Sequence, residues 1–336
     1  MTSANAQDSA VKHRIWSEFV SYSELASSRV LGMLREFDVE LLVAVMPENL
    51  LEIADLCQVY REAGVQIGVW PMIADEDGRW ASTYNAQAYS TFVESLLPTL
   101  RSPMTIAVDL EPPIDLLRGL LHGKLGAYQR ILRSANWSCG RQRLQDLLDT
   151  LSARGFSPIA AANPMLLSDK PGQSAWQWLF GTPIQNFPFD AVSFMSYTSL
   201  LEGYSRGLVN REFARSILVH SARSAVRQLG SRASISIGSV GGGALGDESP
   251  YRNLSELADD VSLVRACGVQ DVALFDLSGV LAKANPEDWL AAFAGPSIHV
   301  ELPRELNRTL ALKRIIKGGG YSLASYRHFR NKLVSR

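Results

Sequence analysis

Asp109 and Glu111 stand two residues apart in "TIAVDLEPP" (105–113), at the end of an apolar run and directly before two prolines. Side chains at i and i+2 of a strand share a face, so both carboxylates project to one side. Two close acids repel when both are ionised, which raises the pKa of one and suits the pair to general acid chemistry near neutral pH. Capping the helix that begins near Pro113 is the other use for acids at this point, because carboxylates favour helix N-termini. The prolines stop the strand and stiffen its exit.

Other residue types suited to a polar, ring-shaped substrate are spread along the chain. "VWPMIADEDGRW" carries Trp70 at a strand end, then Asp75, Glu76, Asp77 and Trp80 in a loop. Aromatic faces stack on the apolar faces of sugar rings, although Trp residues also simply pack a rim. Asn163 before Pro164 offers a further polar group or a plain turn. "SIGSVGGGALGDES" (236–249) has the glycines of a phosphate cradle but no Lys or Arg, so close packing is the simpler reading.

Positioning such groups requires a frame, and the chain supplies eight short β-rich runs. They are 14–22, 39–45, 65–70, 104–109, 157–163, 191–197, 233–239 and 271–277, with helical patterns between most of them. Gly closes several helices just before the next strand, as in "REAG-VQIGVW". The expectation is an α/β fold, a (β/α)8 TIM barrel over 1–298, with insertions after strands four and five. No G-x-G-x-x-G follows the first strand, which counts against a doubly wound dinucleotide fold. In a barrel, Asp109 and Glu111 end strand four at the C-terminal face, where barrel enzymes work. Two amphipathic helices, "IDLLRGLLHGKLGAYQRILRSA" and "RQRLQDLLDTLSARG", fill the insertion after strand four, and the first is placed to cover that mouth.

"AVDLE" resembles the end of the DxxDxDxE motif of chitinase-like (family 18) glycoside hydrolases, and "FMSYTS" resembles that family's strand-six M-x-Y-[DN] pattern through Met195 and Tyr197. The resemblance implies that Glu111 protonates the leaving glycosidic oxygen. It implies that Asp109 orients a substrate acetamido group and stabilises its developing charge, while Tyr197 hydrogen-bonds the same acetamido oxygen. This is a substrate-assisted retaining route. The sequence departs from the pattern at Met104 and Ala107, where the family has aspartates, at Thr198, where it has an acid or amide, and at Phe275, where it has Trp, followed here by Asp276. Barrel glycosidases with a second carboxylate elsewhere stay open, with Glu18, Glu40 and Asp276 as candidates. Trp70, Trp80, Asn163, Met195, Phe275 and Asp276 are the expected substrate-binding groups. The expected function is therefore a glycosidase acting on a carbohydrate, the alternative a non-catalytic barrel that binds a glycan or glycolipid. A phosphosugar isomerase, aldolase or lyase would need a basic phosphate anchor or a Lys on a barrel strand, and neither is evident.

Composition narrows the remaining classes. The net charge of -1 argues against a nucleic-acid binder. Cys57, Cys139 and Cys267 are odd in number and widely spaced, suggesting neither a disulfide framework nor zinc and fitting a reducing, cytoplasmic setting. The five histidines are scattered without H-x-H, and no metal or cofactor is expected. The N-terminus is polar, and no apolar run approaches the ~20 residues that span a bilayer. Nine of the 33 Lys and Arg but one of the 34 acidic residues lie in 304–336, so an acidic body carries a basic tail (299–336). That tail could pack back on the barrel, lie on an anionic membrane surface or dock on a protein partner. "GGG" (318–320) is expected to break its helix.

Overall fold

The computed structural model describes residues 11–121, 126, 137–205, 208–242, 249–303 and 306–334. The polar N-terminal decapeptide, the stretch 122–136 apart from 126, with His122, and the centre of the glycine-rich loop (243–248) lie outside the described residues.

Eight parallel strands close into a barrel in chain order. They are β1 (Lys12–Ser17), β2 (Val39–Val45), β3 (Ile67–Pro71), β4 (Thr105–Leu110), β5 (Ser157–Ala162), β6 (Ala191–Met195), β7 (Ala233–Gly238) and β8 (Asp271–Phe275). With helices between them, the chain is a (β/α)8 TIM barrel. Parallel strands covered on both faces bury nearly every residue, and strict alternation divides those residues between two cores. Leu41, Val43 and Val45 of β2 face the outer helices, whereas Leu42 and Ala44 face the barrel interior. On β4, Ile106, Val108 and Leu110 pack outward and Ala107 inward. The outer layer includes helices Ser28–Glu36, Ile53–Glu62, Ala86–Leu96, Trp137–Ala153, Arg211–Leu229, Leu254–Ala266 and Pro286–Ala294. Side chains of Ser27, Asn210 and Asn253 cap three of their N-termini.

The floor of the barrel interior is ionic. Arg14 Nε lies 2.9 Å from Glu40 Oε2, and the same guanidinium pairs with Asp271. Burial alone would push the Glu40 carboxyl up, but Arg14, Lys12 and the Thr105 hydroxyl together hold it below the ordinary carboxylate range. Glu40 therefore belongs to the N-terminal pole, not to the mouth, which removes it as the second carboxylate of a site. Its place near the start of β2 decides this, since the strands point toward the other end. Above the floor, Ser234 Oγ donates to Asp271 Oδ1 (3.0 Å) and meets the Ser193 hydroxyl at 3.0 Å, Ser193 and Ser236 hydroxyls meet at 2.8 Å, and Trp16 Nε1 donates to Ser236 Oγ (3.3 Å). A continuous polar chain thus links the ionic floor to the first aromatic ring of the mouth.

Helix Asn307–Val334 runs unbroken through Gly318–Gly320, contrary to the expected break. The reason is packing: a Cβ at Gly319 or Gly320 would stand 3.1 Å from the Trp176 indole, so glycine lets the ring lie against the helix. Trp176 Nε1 donates to the Ile316 carbonyl at 3.2 Å, and Thr309 Oγ1 meets Ser216 Oγ at 2.8 Å. One face of the tail therefore packs back on the barrel, against helices Ala175–Phe180 and Arg211–Leu229. Ile315 (71% exposed) and Phe329 (62%) point away. Among the described residues, no helix is long and apolar enough to cross a membrane.

Candidate active site

Where β3 and β4 should continue side by side, they pair only at Val69 and Ile106, and a strap from the β3–β4 connection fills the gap. Ala81 N donates to the Asp109 carbonyl (2.8 Å), and Glu111 N donates to the Ala81 carbonyl (3.2 Å), making a one-residue parallel bridge beside Leu110. The bridge fixes the backbone of both acids and swings the neighbouring Trp80 into the mouth. Asp109 and Glu111 there line a cavity of about 270 Å³.

Most of the residues expected at a site meet in that cavity: Trp70, Trp80, Asn163, Met195, Tyr197 and Phe275 all line it. Trp70 packs edge-on against Trp16 with ring centroids 5.0 Å apart, and Tyr197 stacks on Phe275 at 6.0 Å. Asn163 serves both readings, since its Oδ1 also accepts from Met165 N at 2.9 Å and caps the short 3-10 turn Pro164–Ser168. Asp276 does not line the cavity. It is buried and caps the helix Leu277–Leu281, accepting from Gly279 N at 3.0 Å and from Ser278 Oγ at 2.7 Å. Thr198 likewise turns away into a buried network, donating to Asp260 and accepting from Arg211 Nη1 at 2.7 Å. That network anchors the turn that carries Tyr197. Of the glycine-rich loop, Gly241 packs so tightly that a Cβ there would stand 2.8 Å from both Asp276 Oδ1 and Gly279 Cα, which is the close-packing reading.

Trp16, Leu117, Leu200 and Tyr204 also line the cavity and were not among the residues singled out from the sequence. For Trp16 the signal was present: Arg14, Trp16 and Glu18 alternate along "RIWSE" and share the inward face. Glu18 joins the cavity too and pairs with Arg79, which also holds Asp75 at 2.7 Å. Arg79 adopts a left-handed φ of 65°, a conformation that costs a non-glycine residue about 1 kcal/mol or more and is held here by its two ion pairs.

The electrostatics single out Asp109. Its side chain is 6% exposed and its Oδ1 has no hydrogen-bond partner. Burial pushes its pKa well above the ordinary carboxylate range, the charges of Glu111 and Glu18 push it further, and Arg79 only partly opposes them. Burial also raises Glu18, despite the Arg79 pairing. The site thus combines a buried acid biased toward its neutral form with a half-buried neighbour, Glu111, at one strand end. Among the described residues, no group of three or more His, Cys, Asp or Glu is placed to hold a metal ion.

No family model and no curated relative matches the sequence. Solved structures of similar fold include the glycoside hydrolase domain of PgaB (BpsB) from Bordetella bronchiseptica, at 12% identity and a TM-score of 0.50, over 84% of this chain and 99% of that one. A GH5-4 broad-specificity endoglucanase from an uncultured bacterium gives 10% and 0.52, over 84% of this chain and 94% of that one. An endo-beta-1,4-mannanase of Cellulomonas fimi gives 14% and 0.53, over 89% of this chain and 74% of that one. The likeness is one of fold. These neighbours are glycoside hydrolase barrels, and what the comparison shows in common with this chain is the frame.

Proposed function

We propose that the chain is a glycoside hydrolase, with Glu111 as general acid and base and Asp109 as its partner. The observation that carries this reading is the meeting of both carboxylates with Trp16, Trp70, Trp80 and Tyr197 in one cavity at the barrel mouth. Barrel neighbours that hydrolyse glycosides lend support at the level of the frame.

The chemistry follows the substrate-assisted route of the family that the strand-four and strand-six motifs resemble. Burial and the charges of Glu111 and Glu18 raise the pKa of Asp109, and in this reading the shared proton starts on that residue. Passing it to Glu111 leaves Asp109 ionised, and Glu111 delivers it to the glycosidic oxygen as that bond breaks. A substrate acetamido oxygen attacks the anomeric carbon, Asp109 stabilises the positive charge, and Tyr197 hydrogen-bonds the same group. Glu111, now a carboxylate, then takes a proton from the water that opens the cyclic intermediate, returning the site to its starting charge.

Glu111→Gln is expected to lower turnover of N-acetylglucosaminides by about 10²-fold or more while leaving saturable sugar binding intact. Unchanged turnover across a panel of aryl glycosides would sink the assignment. A non-catalytic glycan-binding barrel is the second reading, favoured by Met104 and Ala107, which stand where that family has aspartates. Sugar binding by the unaltered chain without turnover of any glycoside in the panel would select it.

A further inference from the structure

A second chamber, of about 540 Å³, adjoins the acid-lined cavity and shares Asn163, Met195, Tyr197, Leu200 and Tyr204 with it. The walls of that chamber are mostly apolar, with Leu201 from the helix after β6, Ile217 from helix Arg211–Leu229, and Leu312 and Ile316 from the C-terminal helix, interspersed with hydroxyls such as Ser196, Ser221 and Thr309. Beyond it, Leu167, Ser168, His220 and Lys313 also border a third space of about 630 Å³, which Lys170, Arg227, Arg232 and Lys317 surround.

These last four cations form no ion pair with a carboxylate among the described residues. Arg227 donates to Ser224 Oγ (2.8 Å), Arg232 to the Phe189 carbonyl (3.3 Å), and Lys170 lies 4.7 Å over the Tyr321 ring. Asp169, the one acid lining this third space among the described residues, accepts from the amides of Trp176 (2.9 Å) and Gln177 (3.0 Å). The order along the protein is therefore acid pair, mostly apolar chamber, and a cluster of exposed Lys and Arg without carboxylate ion pairs among the described residues.

We propose that the chamber and the basic space hold the aglycone of an amphiphilic glycoside: an aliphatic chain with an anionic terminus, of the hydroxy fatty acid class. A sugar would sit at Asp109 and Glu111, its aliphatic chain in the chamber, and its terminal anion among Lys170, Arg227, Arg232 and Lys317. A free sugar has no use for apolar walls, and a neutral alkyl chain has none for the cations; only a ligand with both parts matches the sequence of surfaces. The sugar end of this inference rests on the glycosidase reading, whereas the chain and anion ends do not.

The test is calorimetric titration of the full chain with octanoate, decanoate, decyl phosphate and decanol. Affinity is expected to rise about fourfold per methylene from octanoate to decanoate, the ratio set by burial of a CH₂ group, and both anions are expected to bind at least tenfold more tightly than decanol. The tighter of the two anions identifies the terminus. Leu201→Trp and, independently, Ile217→Trp should abolish binding by filling the chamber, with circular dichroism confirming the fold. Arg227→Gln combined with Lys317→Gln should bring decanoate down to the level of decanol. Equal binding of decanol and decanoate by the unaltered chain, or binding that survives both chamber-filling variants, overturns the inference. Glu111→Gln should bind decanoate unchanged. Chain binding without glycoside turnover thus leaves the chamber standing and removes the glycosidase reading, and turnover without chain binding does the reverse.

Discussion

Asp109 is the residue whose environment departs furthest from what its type prefers, being buried with an unpartnered oxygen and two acidic neighbours. A carboxyl raised above its ordinary value of 3.8 binds more protons folded than unfolded. Stability consequently declines as pH rises from about 4 toward the folded-state value, because ionisation must then occur in a buried site. Asp109→Asn is expected to remove that decline and gain stability relative to the unaltered chain at pH 8 but not at pH 4, while turnover falls. Urea denaturation of both proteins at pH 4, 6 and 8 measures it, and parallel curves would show that Asp109 is not held neutral. The pair itself was legible from i, i+2 spacing alone. The raised pKa of Asp109 was not, because burial and the charges of Glu18 and Arg79, which are remote in sequence, help set it. Asp276, by contrast, had the right residue type at a strand end and went to helix capping, a choice set by the local geometry of Ser278 and Gly279.

Among the elements, the C-terminal helix shows where local propensity yields to packing. Three consecutive glycines disfavour a helix by about 1 kcal/mol each relative to alanine, which is why the sequence predicts a break. Two of them touch Trp176, and the third does not: a Cβ on Gly318 would meet nothing within 4 Å. Gly318→Ala should therefore stabilise the chain by roughly 0.5–1 kcal/mol, whereas Gly320→Val should lower the melting temperature and shift tryptophan emission as Trp176 is displaced. Thermal melts with fluorescence detection separate the two, and similar effects from both substitutions would deny the contact its role. The eight strands were readable because a buried parallel strand is a continuous apolar run bounded by turn residues. The strap at Ala81 was not, since a single bridging residue leaves no periodicity to read.

At the scale of the molecule, the two poles of the barrel are built differently. The mouth collects acids and aromatic rings, and the floor holds one arginine between two carboxylates. Arg14→Met is expected to cost about 3–5 kcal/mol, since it leaves buried Asp271 with only the Ser234 hydroxyl and buried Glu40 with Thr105 and the more exposed Lys12. At the rim of that pole, burial and then the neighbouring Arg265 lower the pKa of His13 from 6.5 to about 4. A histidine kept neutral in the folded state binds fewer protons than in the unfolded chain, so its contribution is full above pH 6.5 and is lost as pH falls toward 4. The loss of stability on acidification through that window should be smaller in His13→Gln, as measured by the urea midpoint against pH. An equal loss in both chains would place the acid sensitivity elsewhere.

The strap at Ala81 has a consequence for how the mouth can change. Near the floor the wall is eight strands around, but beside Leu110 the strap takes a place next to β4 that β3 has left, so the rim behaves as if it had an additional staff between its third and fourth. Trp80 and the Arg79 clasp belong to that extra staff and not to the barrel beneath it. Variation in residues 72–80 can therefore alter the width and lining of the opening while the strands that carry the acids keep their register, leaving the frame constant.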